Sequence, residues 1–183
     1  MRSNICIFGT GGQGIITGGV VLAGAAVMDG MYAAMRQEFS TQVRGGYTGV
    51  DITLSDETIK CPFFERADIV FCLAREGVGK CADAAEENTL VFLDDSVAAE
   101  IEKPCRIVRV PFLRTGKLHE CRYVNLIVVS FFSEYFGSIS RESVKGSMKA
   151  NCPVNEENGR ALEIGANLAK EIRKRGARER EDE

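Results

Sequence analysis

No two of the seven cysteines stand at Cys-x-x-Cys spacing, so neither a zinc ribbon nor an iron–sulfur ligand set can be written into the chain. Positive charge is not in excess: 23 Lys and Arg against 26 Asp and Glu leave a net charge of −3. With no basic face interleaved with aromatics, the electrostatic footprint of a nucleic-acid binder is missing. Histidine occurs once, as His119 in the polar turn-like stretch Gly-Lys-Leu-His-Glu-Cys. A lone histidine there is more often solvated than catalytic, and it is given no role. The first residues lack a basic region followed by a clean apolar region and a cleavage site, and the opening apolar run is broken by glycines before it can span a bilayer. A cytoplasmic protein without membrane contact is therefore expected. No repeat or linker divides the chain.

What is present is an α/β rhythm. In a chain of 183 residues that is 45% hydrophobic, six short apolar or β-branched runs recur: Asn4 to Phe8, Tyr32 to Arg36, Val50 to Leu54, Ile69 to Leu73, Thr89 to Leu93 and Ile107 to Pro111. Runs such as Asp-Ile-Val-Phe-Cys-Leu are apolar at consecutive positions, which predicts strands covered on both faces, as in a parallel sheet. The expected architecture is a three-layer α/β fold, a Rossmann-like mostly parallel sheet with helices on both faces. It forms a single domain over residues 1–175, followed by a charged, frayed tail at 176–183.

The helix predicted from Gly14 to about Met28 is apolar nearly all round and rich in Gly and Ala. Such residues stabilise a lone helix poorly but let its backbone approach a sheet closely. Further on, Asn-Leu-Ile-Val-Val-Ser-Phe-Phe reads as a buried helix ended by Gly137, and Ser-Arg-Glu-Ser-Val-Lys as a more exposed one. The last helix starts near Asn155 and points Ala161, Leu162, Ile164, Leu168 and Ile172 inward. Cys6 and Cys72 lie in strand-like runs and read as small hydrophobes, while the other five cysteines sit in more polar contexts without an activating base beside them.

Chemistry concentrates in two glycine-rich stretches. Gly9, Thr10, Gly11, Gly12, Gln13 and Gly14 follow the first strand and open the first helix. Their amide N–H groups and the positive end of the helix dipole make an anion site, for which phosphate is the natural guest, and Gln13 adds a side chain that donates or accepts. The spacing Gly9-x-Gly11-x-x-Gly14 also satisfies a dinucleotide fingerprint, which demands an acidic residue at the end of the second strand; Glu38 is the placed candidate. The simplest alternative is a tight turn without a ligand. The second stretch holds Arg44, Gly45 and Gly46, where the arginine is suited to a phosphate, a carboxylate or a partner chain. Asp94 and Asp95 end a strand; a metal or helix capping would each account for them.

The order Gly-Thr-Gly-Gly-Gln-Gly, then Arg-Gly-Gly-Tyr-Thr-Gly-Val-Asp-Ile-Thr-Leu-Ser-Asp, then Ala-Asp-Ile-Val-Phe-Cys-Leu, with Asn-Glu-Glu-Asn-Gly-Arg-Ala-Leu near the end, resembles the gamma subunit of 2-oxoacid:acceptor (ferredoxin) oxidoreductases. The resemblance covers nearly the whole chain. It implies a subunit of an enzyme that oxidatively decarboxylates a 2-oxoacid, passes the acyl group to coenzyme A and gives the electrons to ferredoxin. Thiamine diphosphate, magnesium and the iron–sulfur clusters are then expected on sister alpha and beta (and delta) subunits, since this chain has no Gly-Asp-Gly motif. Coenzyme A falls to the Gly9–Gly14 loop with Gln13, while Arg44, Gly45 and Gly46 carry over as a ligand-contacting or interface loop. The chain departs from the family just before that arginine: relatives read Ser-Tyr-Gly-Pro-Glu where Glu38, Phe39, Ser40, Thr41 and Gln42 stand. That loosens the substrate assignment, which leans to 2-oxoglutarate or a general 2-oxoacid. A homodimer is open to the isolated chain through a surface made for its sisters. Two other readings stay open: a free-standing NAD or nucleotide-binding protein, and an interaction module whose glycine loops only shape an interface.

Overall fold

Each of the six apolar runs forms a strand in the computed structural model, which describes residues 2–40, 46–153 and 155–181. In chain order the elements are β1 (Arg2–Thr10), α1 (Ile15–Met28), β2 (Tyr32–Phe39), β3 (Tyr47–Ser55), β4 (Ile69–Cys72), α2 (Val78–Ala84), β5 (Leu90–Asp94), β6 (Arg106–Val110), α3 (Phe112–Leu118), α4 (Val124–Phe136), α5 (Arg141–Asn151) and α6 (Glu156–Glu181). The sheet order is β2-β3-β1-β4-β5-β6.

β1, β4, β5 and β6 run parallel, whereas β3 is antiparallel to both of its neighbours, β1 and β2. The sheet is therefore mixed, with one reversed strand set between β1 and β2. The central strands β1 and β4 are buried at consecutive positions, from Ile5 through Gly9 and from Ile69 through Cys72, because both of their faces are covered.

The two layers on the sheet differ in weight. On one face, α1, α4 and α6 enclose the main core, where Phe71 and Phe92 stack at 4.9 Å and Phe131 meets Phe92 edge-on at 5.1 Å. On the other, the seven-residue α2 and neighbouring loops cover a smaller cluster built on Cys6, Phe8, Val70, Cys72 and Val91. The small residues of α1 do bring it close to the sheet: a β-carbon at Gly19 would stand 2.9 Å from Met35 Sδ and 3.0 Å from Val50 Cγ2.

One boundary moves. α6 continues to Glu181, through the charged stretch that the sequence reading sets outside it as a frayed tail. Ala, Arg, Lys and Glu are all strong helix formers, and Glu171 precedes Arg175 by one favourable i, i+4 step.

Candidate functional site

The glycine turn leaves β1 at Thr10 and enters α1 at Ile15, so it lies at the carboxyl edge of the sheet. Gln13 shapes it. Its backbone N–H donates to Thr10 O at 3.3 Å, its side-chain Oε1 accepts from Thr10 N–H at 2.8 Å, and its Nε2 donates to Leu73 O beyond the end of β4 at 3.5 Å. The carboxamide expected to face a ligand is thus used to brace the turn against the sheet. Gly14 takes φ 70° at the helix N-cap, a left-handed value that favours glycine. Gly11 and Gly12 are exposed, with open space where their β-carbons would be. No side chain caps α1, and its first turn contains no acid, so its N-terminal N–H groups and dipole are left for an external anion.

A cleft of about 400 Å³ opens from this turn toward the connection between α3 and α4; its walls include Gly12, Gln13, Lys117, Glu120 and Arg122. Lys117 is exposed and makes no ion pair among the described residues. Arg122 is anchored through its backbone N–H, which donates to Glu157 Oε1 at 3.0 Å, and its Nε lies 3.5 Å from the same oxygen. Glu120, with φ 51°, is the one non-glycine residue in the left-handed region among the described residues, and it turns the chain from α3 toward α4. The N-terminus of α4 has no side-chain cap and no acid in its first turn, though its Val124 and Leu126 N–H groups donate to Arg122 O and Tyr123 O at 3.0 Å each, and it packs against the start of α1. Its Asn125 packs into a slot left by Gly14 and Gly18: β-carbons there would stand 2.8 Å from Asn125 Nδ2 and 3.1 Å from Asn125 Cβ. Sequence reasoning missed this second half of the site. The signal was a polar residue opening an otherwise apolar helix.

Arg44 and Gly45 lie outside the described residues, but Gly46 directly precedes Tyr47, the register partner of Thr10. Ser40 N–H donates to Tyr47 O at 3.0 Å, so the β2–β3 connection leaves and returns beside the glycine turn. The dinucleotide reading of Glu38 is corrected. With β3 inserted, β2 is two strand spacings from β1, about 9–10 Å, and not beside it as a ribose-binding acid requires. Glu38 also lies in register with Phe8 through Gly49, on the α2 face of the sheet rather than the α1 face, and is ion-paired to Lys80 Nζ at 3.3 Å.

Asp94 and Asp95 are committed inside the protein. Asp94, fully buried, accepts from Leu113 N–H at 2.9 Å and so caps α3 from the end of β5, while Asp95 pairs with Arg114 at 2.7 Å. His119 is exposed at the end of α3. Cys6 is more than a small hydrophobe: its thiol donates to buried Asp51 at 3.2 Å, and burial together with that carboxylate pushes its pKa up. Cys81, read as polar in context, is fully buried beside Cys72. The hydrogen bond between the two thiols lowers the pKa of Cys72 and, with burial, raises that of Cys81. Among the described residues no group of three His, Cys, Asp or Glu side chains is placed to hold a metal ion.

Residues 4–168 match the family described as pyruvate ferredoxin/flavodoxin oxidoreductase. The chain is 29% identical to the 2-oxoglutarate synthase subunit KorC of Methanocaldococcus jannaschii, over 94% of this chain and 96% of that one. It is 25% identical to the indolepyruvate oxidoreductase subunit IorB of Archaeoglobus fulgidus, over 92% and 96%. Its fold superposes with a TM-score of 0.78 on the keto/oxoacid ferredoxin oxidoreductase gamma subunit of Geobacter sulfurreducens, at 24% identity, covering 94% of this chain and 98% of that one. The same score relates it to the 2-oxoglutarate:ferredoxin oxidoreductase of Magnetococcus marinus, solved with 2-oxoglutarate, coenzyme A and succinyl-CoA. That likeness is at 23% identity and covers 92% of this chain but 31% of the larger one. With the family match spanning most of the sequence and the gamma-subunit fold spanning its length, the chain belongs to the pyruvate ferredoxin/flavodoxin oxidoreductase family, as a gamma-type subunit of a 2-oxoacid:ferredoxin oxidoreductase.

Proposed function

We propose that this subunit holds coenzyme A for acyl transfer, with its phosphates over the Gly9–Gly14 turn. The observation that carries the reading is the uncapped, acid-free N-terminus of α1, opening beside a cleft that Lys117 and Arg122 line. Positive helix ends and cations at one place favour a polyanion. Gly11 and Gly12 let the backbone N–H groups approach the phosphates, Gln13 keeps the turn in shape, and Arg44, Gly45 and Gly46 add a second contact or an interface. Coenzyme A supplies the thiol that accepts the acyl group. This chain contributes binding and orientation and no catalytic residue.

Thiamine diphosphate with magnesium and the iron–sulfur clusters belong to sister alpha and beta (and delta) chains. The described residues here suit none of them, since of their buried carboxylates Asp94 is spent on capping and Asp51 on Arg36, and their cysteines are dispersed or buried. Electrons leave through the complex to ferredoxin. The likeness to the KorC subunits of 2-oxoglutarate synthases supports 2-oxoglutarate as the 2-oxoacid. No helix among the described residues is long and apolar enough to cross a membrane, and a cytoplasmic location is proposed. The test is Arg44→Ala and Lys117→Ala in the reconstituted anaerobic complex, each raising the KM for coenzyme A about fivefold or more. Unchanged coenzyme A kinetics alongside weakened subunit association would overturn it in favour of an interface.

A further inference from the structure

The two edges of the sheet are built differently. β6 closes one edge with five residues, and both of its charged side chains, Arg106 and Arg109, are cations. Short length and like charge keep a foreign strand away. β2 closes the other edge with eight residues, without proline, and carries one charge of each sign, Arg36 and Glu38. It pairs with β3 in one unbroken register, from Tyr32↔Ser55 to Phe39↔Thr48, so no bulge twists the edge aside. Phe39 is 59% exposed, and Phe63, 65% exposed, lies beneath the Arg36 guanidinium at 5.7 Å. A long, straight edge with apolar side chains beside it is a template for another strand.

The ladder fixes which backbone groups of that edge are open. Ser40 N–H donates to Tyr47 O, and the same register runs back through Glu38↔Gly49, Arg36↔Asp51 and Ala34↔Thr53. Hydrogen-bonded pairs alternate with unbonded ones in an antiparallel ladder. The even-numbered residues therefore spend their N–H and C=O groups on β3, while Ala33, Met35, Gln37 and Phe39 direct theirs outward. Two β2 strands that join through those groups about a twofold axis must have the axis pass through a residue. An axis at Ala34, Met35, Arg36 or Gln37 sets Arg36 against the second copy's Tyr32, Ala34, Arg36 or Glu38 respectively. Only the Gln37 axis opposes unlike charges, and it does so twice. It extends the Arg36–Asp51 and Lys80–Glu38 ion pairs into a row of alternating sign on the α2 face. On the α1 face, where Met35 packs over Gly19, the same axis sets exposed Phe39 against the second copy's Met35.

We propose that β2 is an interaction surface for a second copy of this chain, the two strands pairing antiparallel about a twofold axis at Gln37 and joining two six-stranded sheets into one. Main-chain bonds hold the strands together, and the Arg36–Glu38 and Phe39–Met35 pairs across the axis fix the alignment. Such an interface uses the same patch on both copies and closes on itself. It stands apart from the coenzyme A reading, since no residue of β2 lines that cleft.

The test is sedimentation velocity on the full-length chain as wild type, Gln37→Pro and Gln37→Lys. Because the Gln37 N–H points outward, Gln37→Pro takes no bond from the chain's own ladder, as an edge strand permits, yet it deletes the donors at the axis. Gln37→Lys keeps the strand and sets two ammonium groups opposite each other. Wild type sediments as a dimer, and each variant raises the dimer Kd about tenfold or more. Gln37→Cys treated with diamide gives a disulfide-linked dimer, because hydrogen-bonded partners have Cα atoms about 5.5 Å apart; wild type, with its own exposed Cys61, does not. A wild type that stays monomeric up to about 100 μM, or a dimer that neither variant weakens, overturns the proposal. A dimer that the variants weaken but that Gln37→Cys does not cross-link overturns the alignment. If the free chain is a monomer and the variants instead detach it from its sister subunits in a pull-down of the reconstituted complex, the edge belongs to a sister and the second copy is ruled out. Should Gln37→Pro not fold, Gln37→Lys and the cross-link decide.

Discussion

Gly9 and Gln13 fit each other by subtraction: a β-carbon on Gly9 would occupy the position of Gln13 Oε1 and come within 2.7 Å of Ile15 Cδ1. The first glycine of the motif thus makes room for the side chain that braces the turn. Gly9→Ala displaces the carboxamide and releases the Thr10 N–H. The expected cost is about 1–3 kcal/mol of stability, read as a fall in Tm. In a chain of this size that is about 2–4 °C per kcal/mol. Because Gln13→Ala removes the group that Gly9→Ala clashes with, the double variant is less destabilised than the sum of the singles, by about 1 kcal/mol. Strict additivity in thermal unfolding would show that the two do not act as a pair.

Two glycines on α6 respond to alanine with opposite sign. At Gly165 a β-carbon would collide with Ile127 O and stand 2.9 Å from Ser130 Cβ, whereas at Gly159 it meets nothing within 4 Å. Gly165→Ala forces α6 off α4 and costs about 1–3 kcal/mol. Gly159→Ala gains up to about 1 kcal/mol from helix propensity. Urea denaturation midpoints moving in the same direction for both would refute the packing described for this helix pair.

The partners of the Arg36–Asp51 ion pair are unequal. Asp51 side-chain exposure is 8% and that of Arg36 is 48%; Arg36 Nε donates to Asp51 at 3.1 Å. Removing the exposed partner is the worse change. Arg36→Leu strands a buried carboxylate with only the Cys6 thiol and costs about 3–5 kcal/mol, while Asp51→Asn lets the guanidinium turn to water and costs about 1–3 kcal/mol. Chemical denaturation of the two variants gives the order directly, and an Asp51→Asn variant as unstable as Arg36→Leu would contradict it.

Asp29 ties the end of α1 to the start of α5. Partial burial pushes its carboxyl upward, but hydrogen bonds from the Ser143 hydroxyl and from the Ser140 amide and hydroxyl outweigh this and hold its pKa below the ordinary carboxylate value. A folded-state pKa below the unfolded value of about 3.9 means that the stabilisation is complete above that pH and is lost as pH falls through the lower folded value. The Tm difference between the wild type and Asp29→Asn is therefore full at pH 7 and shrinks below about pH 4. A gap that is constant down to pH 3 would sink the assignment.

The strands were legible because strand runs carry their own signal: consecutive apolar residues bounded by turns. The glycine turn was legible for the same reason, since its residues are local to one another. What a single sequence does not carry is which strand lies beside which. Nothing in Tyr47 to Ser55 announces that it will insert, reversed, between β1 and β2, and that insertion alone moved Glu38 from a ribose-binding position to an ion pair with Lys80. Asn125 was passed over on similar grounds. Its place beside the glycine turn depends on α4 arriving next to Gly14, a contact across 111 positions of the chain, and a polar residue at the head of an apolar helix does not say what will lie beside it.

The bare Cα of Gly165 gives the fold a long lever. It rests on the carbonyl of Ile127, two residues beyond Asn125, and the Ser130 hydroxyl fastens the next turn to Leu162 O. α6 thus sets the height at which α4 presents its first turn, and with it the gap between Asn125 and the glycine turn. The last helix calibrates a seat whose most recognisable letters are written near the first residues. A fragment holding only those letters would keep the motif and lose the ruler that measures it.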